Sequence, residues 1–278
     1  MILRQMTLAD LETVLDWAAD EGWNPGREDA PAFLAADPQG FFMAEQDGRL
    51  AAAISVVNHD ADHAFLGLYI CHPDFRGQGI GLALWTHALR HAGGRSVGLD
   101  GVPAQQANYT RAGFVATGST LRLEGPVLAV PRAQDVSLRL AGAGDRDPLL
   151  ALDRAAVGYA RPAFLSGWIT QTPGRRTVVA DGPTGPVGFA TARLCRSGGK
   201  IGPVIAPDTV TALALIAAAA QTLDLERIAV DVPQQNAALL NALFAADFAE
   251  TFRTARMVRG TQPAQTASLQ AVATLELG

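Results

Sequence analysis

The chain opens on a pattern that changes period twice. "ILRQMTLADLETVLDWA", from Ile2, reads as a short strand, a polar turn holding Asp10, and then an amphipathic helix with apolar residues at helical spacing. "FFMAEQDGRLAAAISVV", from Phe41, predicts a hairpin closed at Asp-Gly, and "AFLGLYICHP" predicts a strand stopped at Pro73, because the residue before a proline avoids the helical region. Ile80, Ala83, Leu84, Ala88 and Leu89 then mark a helix starting near Gly79, and "VGLDGVPAQQANYTRAGF" gives strand, turn, helix and the apolar entry to one more strand.

The same order recurs. "SLRLAGAGDRDPLLALDRA" from Ser137 matches the opening segment, "TVVADGPTGPVGFATARL" from Thr177 matches the hairpin, "GPVIAPD" matches "YICHPD", and "IAVDVPQQNAALLNALFAADF" matches the last unit. Arg4 and Arg139 correspond at an offset of 135, whereas Pro73 and Pro207, like Phe114 and Phe248, correspond at 134. Five elements in one order make this a duplication, with αβ domains at residues 1–125 and 136–278. Pro126 and Pro131 interrupt "EGPVLAVPRAQD", residues 124–135, which reads as an apolar link lying on a surface.

Composition narrows the class. With 278 residues, 49% hydrophobic and 18% charged, each half can bury a core of its own. The net charge of −5 and the lack of a basic cluster speak against a nucleic-acid partner. "VTALALIAAAAQTL", from Val210, is too short for a bilayer span, and no signal-peptide core follows Met1, so no membrane role and a cytoplasmic location are expected. Cys71, Cys195 and five scattered histidines give neither a disulfide framework nor a metal-ligand spacing.

The chemistry concentrates in "HPDFRGQGIGLALW". Gly77, Gly79 and Gly81 permit turn conformations closed to bulkier residues, and the helix they introduce starts with N–H groups that have no intrahelical partner. Those donors and the positive end of the helix form an anion site, to which Arg76 adds a charge-assisted bond or a clasp on the turn. A P-loop is excluded because G-x-x-x-x-G-K-[ST] is absent, and the dinucleotide fingerprint fails on its glycine spacing.

Arg76, Gly79 and Gly81 as R-x-x-G-x-G, with Tyr109, Gly113 and Phe114 as Y-x-x-x-G-F, resemble the two central motifs of the GNAT superfamily of N-acetyltransferases. The resemblance implies an α/β (α+β) fold of tandem GNAT-like domains, each a mixed, mostly antiparallel twisted sheet flanked by helices. It implies acetyl-CoA as donor, released as CoA, with the pyrophosphate on the loop of Gly77, Gln78, Gly79, Ile80, Gly81 and Leu82. It also implies that the strand carrying "LGLYIC" splays from the one carrying "SVGLD", so that the backbone of Leu68, Tyr69 and Ile70 serves the pantetheine arm. Tyr109 stands where family members have a tyrosine that protonates the departing thiolate, and Asn108, beside it, stands for the family's cofactor-binding asparagine.

A base for the acceptor amine is open among Asp100, His72 and Glu45, acting directly or through water. Trp23 and Asn24 lie in a loop held by Pro25 and Gly26, and with Asp29 they form the expected acceptor wall. In the second half Asp208, Leu243 and Asp247 replace the glycine turn, the tyrosine and the final glycine, so this copy is expected to keep the scaffold without a CoA site. Arg161, Trp168 and Arg253 are its candidates for touching the acceptor, an arginine there suiting a substrate carboxylate. The expected reaction is direct acetyl transfer in a ternary complex to the primary amine of a small or amino-acid-like acceptor, in a chain free to form a homodimer. A non-catalytic acyl-CoA sensor and a cofactor-free protein-binding scaffold are the competing readings.

Overall fold

The computed structural model describes residues 1–129, 131 and 136–278. The first half runs β1 (Ile2–Gln5), α1 (Leu8–Asp20), α2 (Asp29–Ala36), β2 (Phe41–Gln46), β3 (Arg49–Asn58), β4 (His63–Cys71), α3 (Ile80–Ala88), β5 (Ser96–Gly101), α4 (Gln106–Arg111) and β6 (Val115–Pro126). The second runs β7 (Ser137–Leu140), α5 (Arg146–Val157), α6 (Pro162–Trp168), β8 (Arg175–Gly182), β9 (Gly185–Leu194), β10 (Gly199–Ile205), α7 (Thr209–Gln221), β11 (Arg227–Pro233), α8 (Ala237–Ala245), β12 (Ala249–Arg259) and β13 (Leu269–Ala271). Local chemistry explains the boundaries: Thr7 and Asp10 close a reciprocal capping box at the head of α1, whose Leu11, Val14, Leu15 and Ala18 face the core.

The two halves share one sheet, ordered β1-β2-β3-β4-β5-β12-β6-β11-β10-β9-β8-β7, with β13 beside β10. Its pairings are antiparallel except β4 with β5 and β10 with β11, the mixed topology expected of the fold class. The halves exchange their last long strands. β12 of the second half pairs with β5, and β6 of the first pairs with β11, while β6 and β12 pair with each other. Thr120 faces Thr254 in that central pairing, and the two are related by the duplication offset, so a pseudo-twofold axis passes between them.

The boundary expected at residue 125 therefore follows the chain and not the sheet. Residues 124–126, read as link, extend β6, and Val127 and Leu128 pack on the second half's core. Residues 130 and 132–135 of that link lie outside the described residues.

Buried ion pairs flank the axis. Arg122 on β6 makes a two-bonded pair with Asp231 on β11, at 2.8 and 3.0 Å, and Arg256 on β12 does the same to Asp100 on β5, at 3.2 and 2.7 Å. Burial opposes the Asp231 charge, yet Arg122 and Lys200 hold its carboxyl below the usual range; at Asp100 burial pushes the carboxyl up against the pull of Arg256.

Candidate active site

Three structural features meet at the carboxyl ends of β4 and β5. The turn after β4 is one: Pro73–Phe75 forms a short 3₁₀ turn, with the Asp74 N–H donating to His72 Nδ1. Arg76 then donates to the Cys71 carbonyl at 3.0 Å and to Glu21 at 2.6 Å, clasping the turn to the end of α1. Gly77 and Gly79 have φ of +77° and +78°, left-handed values where a side chain would be strained. A Cβ at Gly81 would lie 2.8 Å from the Tyr69 hydroxyl, so its lack of a side chain leaves room for that phenol.

No side chain caps α3 at Gly79, and among the described residues none accepts a hydrogen bond from the N–H groups of Gly77 through Leu82. These donors border a cavity of about 460 Å³ rimmed by Arg76, Gly77, Gly79, Gly81 and Leu82, with Trp23 opposite. An anionic diphosphate fits this fan of free N–H groups on both counts, hydrogen bonding and helix dipole.

The splay is the second feature. β4 and β5 pair from His63↔Ser96 only as far as Leu66↔Leu99, although β4 continues to Cys71 and β5 to Gly101. Leu68, at φ +48°, sits where the β3–β4 register shifts, and from there Leu68, Tyr69 and Ile70 run past β5 without pairing to it. The slot so opened holds a space of about 40 Å³ bounded by Trp23, Leu68, Tyr69, Tyr109, Phe252 and Glu276.

Tyrosine is the third. Tyr109 on α4 stacks on Trp85 at 5.5 Å between ring centroids, with Tyr69 against the other part of Trp85 at 5.3 Å. Gly101 makes this packing feasible, since a Cβ there would sit 3.0 Å from the Tyr109 ring. Tyr109 is 6% exposed and no described side chain or carbonyl bonds its hydroxyl. Burial pushes its pKa up, so at neutral pH it is a protonated phenol with a proton to give.

The other expected site residues divide. Trp23 lines both the slot and the mouth. Its carbonyl accepts from Arg122 at 2.8 Å and from Lys200 at 2.7 Å, so the second half's β10 and the exchanged β6 hold the loop. Asn24 belongs to this anchorage and not to the slot, since it exchanges two hydrogen bonds with the Ser197 backbone. Asp29 is 1% exposed and bonded by Arg175 and Arg193, which removes it from the acceptor wall. Trp168, packed in the core against those two guanidiniums and stacked on Phe33, is likewise structural. Arg161 is buried against Asp153 and the Gly278 carbonyl, and Arg253 is exposed and bonded to Glu250, so neither reaches the slot.

Among the three bases, Glu45 is spent on Arg4 at the β1–β2 edge, at 2.6 Å. His72 packs against Trp17 and caps its own turn. Asp100 does border the slot, but Arg256 and the hydroxyls of Thr120 and Thr254 occupy its oxygens. Asn108 is exposed in the middle of α4, bonded to Gln105 and Arg111, on the rim of a groove it shares with Tyr69 and Tyr109. Residue patterns missed Phe252 and Glu276. Nothing in the repeat marks either, although the offset that takes Arg122 to Arg256 does relate β6 to β12, the strand on which Phe252 faces Arg122.

In the second half the corresponding features are closed. Asp208 accepts from Thr211 N–H at 2.8 Å at the head of α7, and β13 with Val272 fills the gap between β10 and β11.

The fold and this site place the chain in one class. Residues 8–114 match the acetyltransferase (GNAT) family and residues 149–270 an acetyltransferase (GNAT) domain. The chain is 34% identical to holothin acyltransferase of Pseudoalteromonas sp. (strain SANK 73390), over 98% of its own length and 92% of that protein's. Among solved structures it superposes on an acetyltransferase of Pyrococcus horikoshii with a TM-score of 0.81, 19% identity and coverage of 100% and 95% of the two chains. A tandem GNAT protein from the clavulanic acid biosynthesis pathway superposes with a TM-score of 0.65 at 17% identity, covering 94% of this chain and 99% of that one. The chain belongs to the GNAT family, as two tandem GNAT-like domains, and is an acyltransferase that draws on an acyl-CoA donor.

Proposed function

We propose that the first half transfers the acetyl group of acetyl-CoA to the primary amine of a small, largely apolar acceptor, by direct attack while both are bound. The N–H groups of Gln78 through Leu82 hold the diphosphate, the backbone of Leu68 through Ile70, unpaired toward β5, guides the pantetheine arm, and Tyr109 protonates the sulfur as the amide forms. The acceptor enters beside Trp23 and Phe252. Among the described residues no lysine or arginine lines the slot, which favours an amine without a carboxylate over an amino acid. The second half, with its helix head capped and its gap filled, serves as the wall that positions Trp23. Holothin, the compound in the relative's name, belongs in the first panel of acceptors.

The observation that carries this reading is the free N–H fan of α3 opening on a slot that ends at Tyr109. Steady-state transfer from acetyl-CoA to a panel of amines tests it, with calorimetry for CoA. Tyr109→Phe is expected to lower kcat by about 10²-fold or more, the low end for general acid catalysis, and to leave CoA affinity within about two-fold. Absence of CoA binding would refute the reading. Binding without turnover on any amine would make the protein a sensor.

A further inference from the structure

An alkylamine reaches a neutral solution as ammonium, with a pKa near about 10, and must shed a proton before its lone pair can attack. If the chain acts by the acetyl transfer proposed above, a group on the slot must take that proton. Glu45 and Asp100 are bonded elsewhere, and His72 lines neither the slot nor the mouth. The remaining carboxyl on the slot is Glu276, in the tail that follows β13.

Glu276 is 3% exposed. Its Oε2 accepts from the Thr274 hydroxyl, while its Oε1 is fully buried and has no partner. The tail around it is fixed in register. A Cβ on Gly67 would lie 2.0 Å from the Glu276 carbonyl oxygen, so β4 and the tail touch backbone to backbone. On the following residues, His59 bonds the Leu277 carbonyl at 2.8 Å and Arg161 bonds that of Gly278. The neighbouring charges are spoken for: Lys200 on β10 bonds the Trp23 carbonyl, Arg122 on β6 bonds Asp231, and Arg193 on β9 bonds Asp29 of α2. A buried carboxyl oxygen left without a donor costs free energy that an incoming ammonium would offset.

We infer that Glu276 receives the acceptor's ammonium and takes its first proton, so that the tail of the second half completes the active site of the first. Glu276 goes from carboxylate to carboxylic acid as the ammonium becomes amine. The amine's lone pair then forms the C–N bond and the C–S bond breaks. Tyr109 gives its proton to the thiolate and regains one from the nitrogen as the amide forms, and Glu276 returns its proton to solvent after product leaves. Burial pushes the Glu276 carboxyl up against the pull of Lys200, Arg122 and Arg193, which brings its basicity nearer to neutral pH.

Glu276→Gln and Glu276→Asp test this, with acceptors of high and low amine pKa. For an alkylamine, Glu276→Gln is expected to lower kcat/KM at neutral pH by about 10²-fold and to move its acidic limb up to the amine's own ionisation at about pH 10, with partial return in Glu276→Asp. Calorimetry should show CoA affinity unchanged within about two-fold and alkylamine affinity reduced about ten-fold in the presence of CoA. An arylamine, already neutral, should lose much less. An equal loss for both amines, an acidic limb left where the native protein has it, or loss of CoA binding would each assign Glu276 a structural role and overturn the inference. If the native protein transfers acetyl to no amine, it is the acetyl-transfer reading that fails.

Discussion

His59 holds the tail that carries Glu276, and acid should loosen that hold. Its ring lies 5.5 Å from Tyr159 and 6.0 Å from Phe164, and its Nε2 donates to the Leu277 carbonyl. Burial first, and the Arg161 charge second, bring its pKa down to about 4, against the opposite pull of the Leu277 carbonyl hydrogen bond and then of Asp60 and Asp37. In the unfolded chain the value is about 6.5, so the unfolded state binds the proton more readily. A depressed pKa contributes stability in full above the unfolded value, and that contribution is lost as pH falls toward the folded one. The shift of about 2.5 units, at 1.36 kcal/mol each, corresponds to about 3 kcal/mol between about pH 6.5 and pH 4. Urea unfolding of the native protein and of His59→Gln along this pH range isolates the effect, because other carboxyls titrate equally in both. The native protein's advantage over the variant should shrink by about 3 kcal/mol on acidification, most of it by about pH 4.5. A difference that stays constant with pH would refute the assignment of a neutral, buried His59.

Two further outcomes follow from the geometry. Asp231→Ala strands the Arg122 guanidinium, 2% exposed, and should lower unfolding free energy in urea by about 3–5 kcal/mol, with a loss under 1 kcal/mol contradicting the buried pair. At Gly79, φ is +78° and a Cβ would meet nothing within 4 Å, so Gly79→Ala should cost only about 1 kcal/mol in stability, from backbone strain, while calorimetry shows weakened CoA binding; unchanged affinity would remove this residue from the diphosphate site.

The glycine turn, the tyrosine and the duplication were legible because each is a local event. A positive φ needs glycine, a strand end needs its proline, and a repeat needs only comparison of one segment with another. The exchanged strands were hidden for a physical reason: "STLRLEG" and "TFRTARM" alternate in the same way whichever neighbour they pair with, and only the packed register shows that Thr120 faces Thr254. Asp29, Arg161 and Trp168 misled because charge and aromaticity in a loop or at a helix end look like a binding wall. In the folded chain Arg175 and Arg193 neutralise Asp29 and cover Trp168, and Asp153 neutralises Arg161. Glu276 had no signal at all, since the tail after β13 has neither helical nor strand period and its position depends on a contact with Gly67 more than two hundred residues earlier.

The same packing explains how a copy whose helix head is capped and whose gap is filled remains necessary. Without residues 136–278, β5 would lose β12 and Asp100 would lose Arg256, while β6 would lose both of its neighbours. Three bare strand edges and an unpaired carboxyl would then be left beside the slot where Tyr109 stands. The tail links the two gaps directly. β13 and Val272 fill the one between β10 and β11, where a Cβ on Gly202 would lie 2.2 Å from the Val272 carbonyl, and a few residues later Glu276 closes on Gly67 beside the other. Gly202 and Gly67 are thus paired glycines at equivalent points of the two copies, each bare so that one peptide segment can pass against it. What seals the second gap is the segment that delivers a carboxyl to the first, so closure of one copy and completion of the other are a single packing event.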